Sequence, residues 1–78
     1  DTALLMFLAE AATCLDRKRI VEARGIAEGR EGISKHPKVY NKRARVLAVE
    51  PDYHLIIRAL HDGDLVLKCH PGQFVPKP

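Results

Sequence analysis

Between Ala44 and His70 the chain reads ARVLAVEPDYHLIIRALHDGDLVLKCH, three short apolar runs rich in β-branched residues, split by two turn signals. The first signal is Glu50-Pro51-Asp52-Tyr53. Proline pre-sets φ for the second position of a turn, and aspartate favours turns through local side-chain hydrogen bonds. The second is His61-Asp62-Gly63, where glycine accepts the left-handed conformation of a short hairpin loop with a bulge. Together they predict a three-stranded antiparallel meander. They also set its register: Ala59 faces Leu65, Ile57 faces Leu67 and Val46, and Leu55 faces Cys69 and Ala48.

Side chains alternate along a strand. One predicted face therefore carries Val46, Ala48, Leu55, Ile57, Ala59, Leu65, Leu67 and Cys69, which is a core face. The other carries Arg45, Leu47, Val49, His54, Ile56, Arg58, Leu60, Val66, Lys68 and His70. A solvated face is mostly polar, but Leu47, Val49, Ile56, Leu60 and Val66 are not. Either a second chain covers this face or the helices are divided between both. Large exposed apolar patches mark contacts, so these five residues, with Phe7, are the candidate interface.

Residues 2–15, TALLMFLAEAATCL, are helix formers with apolar residues almost all round. Asp16 is a candidate N-cap for a second helix from Arg17 to about Glu28, with Gly29 as its C′ residue. Gly29 to Pro37 reads as a loop, and Lys38 to Asn41 as a short strand or turn. The tail from Pro71 to Pro78 holds three prolines and a glycine, so it reads as extended, with Phe74 and Val75 free to dock. The expected architecture is α+β, with an N-terminal helix or helical hairpin (1–30) packed on the meander (38–70) and a proline-rich tail (71–78). At 78 residues this is one small domain. Domains of this size bury a modest share of their surface, which favours oligomers.

Charge is the strongest functional signal. From Arg17 to Arg45 stand ten basic residues (Arg17, Lys18, Arg19, Arg24, Arg30, Lys35, Lys38, Lys42, Arg43 and Arg45) against three acids, giving +7 within a chain of net charge +3. Such a segment suits a phosphate-rich partner, because each cation near a phosphate releases counterions. Gly29-Arg30-Glu31-Gly32 has the spacing of a GxxG phosphate loop. However, Pro37 stops any following helix and Glu31 repels phosphate. Phe7, Tyr40, Tyr53 and Phe74 are the only aromatic residues, too few for base stacking on aromatic rings.

Sites for chemistry are sparse. His36, His54, His61 and His70 lack the spacing that brings three or four ligands to zinc, so no metal or cofactor is expected. Cys69 and His70 are strand neighbours that point to opposite faces and form no dyad. Cys14 and Cys69 read as free buried thiols, and the reading leans away from an enzyme. The apolar run Ala3–Leu15 is interrupted by Glu10 and falls short of the ~18–20 residues of a membrane span. It also lacks a basic leader, and a cytoplasmic location follows. Two readings result: a small basic nucleic-acid-binding or regulatory module acting as a homodimer, or a protein-interaction or assembly domain that uses the apolar sheet face.

Overall fold

The computed structural model describes residues 20–61 and 63–77. Helix α1 spans Ile20–Ala27. The expected first helix, the residues Arg17 to Arg19 of the second, and Cys14 lie outside the described residues. Ala23 and Ala27, four apart, are the buried face of α1. Two alanines bring the helix backbone close to the sheet, while Val21 and Ile26 face out. Gly29 ends the helix with φ +83°, as expected of a C′ glycine.

Five antiparallel strands follow: β1 Glu31–Ser34, β2 Arg43–Val49, β3 Leu55–Ala59, β4 Val66–Cys69 and β5 Phe74–Pro76. Their spatial order is β4-β3-β2-β1-β5. The three predicted strands are present, but the sheet has five, not three. Two segments read as non-strand supply the others. The backbone passes from helix to β1 through paired bonds, Gly29 N to Val46 O (2.8 Å) and Val46 N to Arg30 O (2.9 Å). The supposed GxxG loop is therefore strand at Glu31 and Gly32.

Gly32 is required by close approach rather than by conformation. A Cβ there would run into the Val75 carbonyl oxygen and lie 2.7 Å from Phe74 Cζ. Phe74 lies fully buried beside it and anchors β5. The tail is thus an edge strand and not a free extension. Its flanking backbone bonds are Lys35 N donating to Gln73 O and Lys77 N donating to Glu31 O. With period two, Pro76 falls where an N–H would point away from β1, a position that proline tolerates.

Within β2–β3 the predicted pairs Val46–Ile57 and, across β4, Ile57–Leu67 and Leu55–Cys69 are present. The register then shifts between Val46 and Ala48, so Val49, not Ala48, faces Leu55. One extra residue flips the remainder of the strand. Val49 therefore enters the core, which overturns its place in the candidate interface. Leu65, expected inside, is exposed. The core consists of Ala44, Val46, Val49, Leu55, Ile57, Ala59, Cys69 and Phe74 on the inner sheet face, closed by Ala23, Ala27, Val39 and Tyr53.

The Glu50–Tyr53 turn is closed by Tyr53 N to Glu50 O and Glu50 N to His54 O, both 2.8 Å. Tyr53 takes φ +64° and is completely buried. The left-handed region costs a non-glycine residue about 1–2 kcal/mol, and burial of the ring offsets that cost. In the second turn Gly63 (φ +69°) and Asp64 (φ +54°) are both left-handed.

Candidate nucleic-acid interface

The β1–β2 connection, residues 35–42, is short and tightly tied. Ser34 N donates to Lys42 O (2.8 Å) and Asn41 N to Ser34 O (2.7 Å), closing its base. Pro37–Val39 forms one 3-10 turn capped by His36, whose Nδ1 accepts from Lys38 N. Ser34, itself buried, accepts from His36 N through Oγ. Asn41 adopts φ +61°, which asparagine tolerates better than most residues. Val39 is the plug: it is buried while Lys38, Tyr40 and Lys42 on either side are exposed. Lys35 Nζ donates to Asn41 Oδ1 and sits 5.2 Å from the centre of the Tyr40 ring. The result is a backbone frame that carries Lys35 beside a tyrosine that is 58% exposed, with Lys38 and Lys42 exposed on the same connection. From Gly32 to Val49 the chain contains no Asp or Glu.

Arg43 continues this surface onto the outer face of the sheet, the face turned away from the core. In register, Glu31 faces Arg45, and Arg45 faces Arg58. Like charges placed directly opposite repel, and Glu31 offsets this at one arginine. Arg45 Nη2 donates to Glu31 Oε1 at 2.5 Å, and Arg43 Nη2 lies 3.7 Å from Oε2. That hydrogen bond, opposed by desolvation and aided by the charges of Arg45, Arg43 and Lys77, holds the Glu31 carboxyl below its ordinary range. Arg58 Nε is buried with no hydrogen-bond partner.

The ten predicted cations therefore separate. Arg17, Lys18 and Arg19 lie outside the described residues. Arg24 is on α1 and donates from Nε to Val49 O at 3.1 Å, a structural tie. Arg30 sits half-buried at the helix–strand junction. Lys35, Lys38, Lys42 and Arg43 come together at the loop, and Arg45 is engaged by Glu31. Arg58, Lys68 and Lys77 share the outer face and escaped the sequence count, which stopped at Arg45. Strand alternation was the signal for Arg58 and Lys68; nothing in the tail marked Lys77. Of the candidate interface residues, Phe7 lies outside the described residues. Leu47 and Val66 are 42% and 51% exposed, and Ile56 and Leu60 are half-buried.

At the far corner, the His54 and His70 rings meet at 4.3 Å between centres, tilted by 52°. Asp52 accepts from His54 N (3.0 Å) and from Lys68 Nζ (3.0 Å). These two bonds lower its carboxyl to about 2. His54 Nδ1 lies 3.2 Å from Asp52 Oδ2 but out of hydrogen-bond alignment, so this is an electrostatic contact. Cys69 is a free thiol, pushed up to about 11 by burial and so protonated at neutral pH. Among the described residues, no three of His, Cys, Asp and Glu are placed to hold a metal ion, and no helix is long and apolar enough to cross a membrane. Comparison with protein-family models, with curated proteins and with solved structures finds no match for this chain.

Proposed function

We propose that this protein binds nucleic acid, chiefly through phosphates, at the β1–β2 loop and the adjoining Arg43. The observation that carries this reading is the loop frame: Lys35, tied to Asn41 beside the Tyr40 ring, and the exposed Lys38 and Lys42 stand on one hydrogen-bonded connection, with no carboxylate from Gly32 to Val49. A merely solubilising set of lysines needs no such frame. Arg58, paired with Arg45 across β2 and β3, extends the cationic face across the sheet. The chemistry is binding without bond breaking: cations replace the counterions of the phosphates, and the logarithm of the affinity falls linearly with the logarithm of salt concentration.

About four phosphate contacts give a salt slope of about −3 to −4. Replacing Lys38 or Lys42 by glutamine removes about one unit of that slope each. Both residues are exposed, so the melting temperature stays put. Titration of labelled oligonucleotides at several salt concentrations measures all three quantities. Undetectable binding at low salt ends this proposal.

A second reading rests on different residues. Leu47 and Val66 are exposed beside half-buried Ile56 and Leu60, which suits pairing of two chains or docking of a partner protein. Sedimentation of the wild type and of Leu47→Asp separates the two readings. A concentration-dependent dimer lost in the variant supports assembly, and a monomer throughout removes the pairing of two chains.

A further inference from the structure

The outer face carries a hollow of about 250 Å3 where β1 meets β5. Its shape follows from the register. Ile33 pairs with Arg43 on one side and Val75 on the other, and these three form one wall. Glu31, whose carbonyl accepts from Lys77 N, forms the other wall with Lys77. Between them Gly32 and Pro76 are paired, and their backbones make the floor. The lining is apolar at Ile33, Val75 and Pro76, with Arg43 and Lys77 as cations on opposite sides. Its one acid, Glu31, is engaged by Arg45.

We propose that this hollow receives one unstacked base of a single-stranded nucleic acid, with flanking phosphates on Lys77 on one side and on Arg43 on the other. The inference rests on the phosphate-binding reading above and narrows it to single strands. Three observations carry it. The volume is below that of ordinary small-molecule sites and suits one ring system. A base stacks on a guanidinium plane as well as on an aromatic ring, so the shortage of aromatic residues is no bar; Arg43 is in the wall and Tyr40 is close by in sequence on the adjoining loop. Finally, an apolar ligand uses the hollow and ignores the cations, whereas a duplex uses the cations and keeps its bases stacked. A single strand uses both. The cationic run continues without a carboxylate from Arg43 through Lys42 and Lys38 to Lys35, which favours a repeating phosphate chain over an acidic peptide.

The test is fluorescence anisotropy on the full 78-residue chain at low salt, with three probes of equal length: an oligothymidine strand, the same backbone with abasic sites, and a duplex. The oligothymidine strand is expected to bind about tenfold more tightly than the abasic strand, the lower end of base stacking. Val75→Asp, at an exposed edge position in the hollow, is expected to lower single-strand affinity about tenfold. Val21→Asp, the same charge change on α1, lowers it no more than about twofold. The abasic comparison uses the unaltered chain and decides the matter even if Val75→Asp does not fold. Equal affinity for the base-bearing and abasic strands overturns the hollow as a base site and leaves phosphate binding intact, as does a duplex bound as tightly as the single strand. An acidic peptide with an apolar anchor that binds and is lost in Val75→Asp, with no response to oligothymidine, overturns it as well. Failure of all three probes removes the phosphate-binding reading together with it.

Discussion

The two halves of the sheet are built differently. Strands β2, β3 and β4 are joined by tight turns and filled with large side chains: Val46, Val49, Leu55, Ile57 and the buried ring of Tyr53. Strands β1 and β5 are four and three residues long. β1 is laddered to β2, and β5 is anchored on β1 by one close contact, Phe74 against Gly32, and by the bonds at Lys35 and Lys77. The thick half provides most of the burial. The thin half carries the basic loop, the hollow and two of the cations around it. Binding surfaces commonly sit on the less stable parts of a fold, displayed by a rigid scaffold, and β2 is the strand that both halves share.

Tyr53→Ala tests whether the thick half is the scaffold, and it has the largest expected effect. Removing a fully buried ring costs about 3–5 kcal/mol, a large share of the stability of a small protein. Because Tyr53 is left-handed, Tyr53→Gly is expected to be less harmful than Tyr53→Ala by about 1 kcal/mol. Urea unfolding of the three proteins measures both differences. If alanine and glycine are equivalent, or the order is reversed, the conformational strain assigned to this turn is wrong.

Gly32→Ala probes the thin half. The new methyl meets backbone at Val75 and Pro76, which cannot rotate away. Overpacking of this kind costs about 1–3 kcal/mol. The damage is expected to be local, with β5 displaced first and the hollow lost with it. Hydrogen exchange is the measurement: Val75 and Lys77 amides lose protection in Gly32→Ala, while Leu55 and Ile57 keep theirs. Uniform loss across all five strands would mean that the halves unfold as one.

The same contrast explains what was legible in the sequence. The thick half announced itself because Pro51 and Gly63 fix two turns and the runs between them alternate. The bulge was invisible. Val46-Leu47-Ala48-Val49 is apolar at every position, so period two has no phase to read and Val49 fell on the wrong face. The thin half lacked any such signal. Gly32 resembled loop punctuation, although it is small because Phe74 needs the space. Pro76 argued against a strand, although only the interior of a sheet excludes proline. The cations between Lys35 and Arg45 were legible by composition. Their division into Arg24 bound to Val49, Arg45 bound to Glu31 and the loop set was not, since it depends on which strands become neighbours. The hollow, formed by two segments more than forty positions apart in the chain, had no sequence signal at all.

The smallest effect lies at the outer corner of the thick half, where Asp52 joins the turn to β4 through Lys68. Its carboxyl is lowered to about 2 by the hydrogen bonds from His54 N and Lys68 Nζ, against about 4 in an unfolded chain. A depressed carboxyl stabilises the fold above the unfolded value, and that stability is lost as pH falls from about 4 to about 2. Asp52 is nearly half exposed, so solvent screening keeps the contribution to no more than about 1 kcal/mol. Asp52→Asn retains an oxygen for His54 N and removes only the charge facing Lys68. The variant is therefore expected to be slightly less stable than wild type at pH 7 and indistinguishable from it near pH 2. Glu31 is lowered as well, so both proteins lose stability in acid, and the gap between their urea midpoints isolates Asp52. A gap that stays open at pH 2 would assign the effect to the shape of the turn instead of its charge, leaving the thick half held by packing alone.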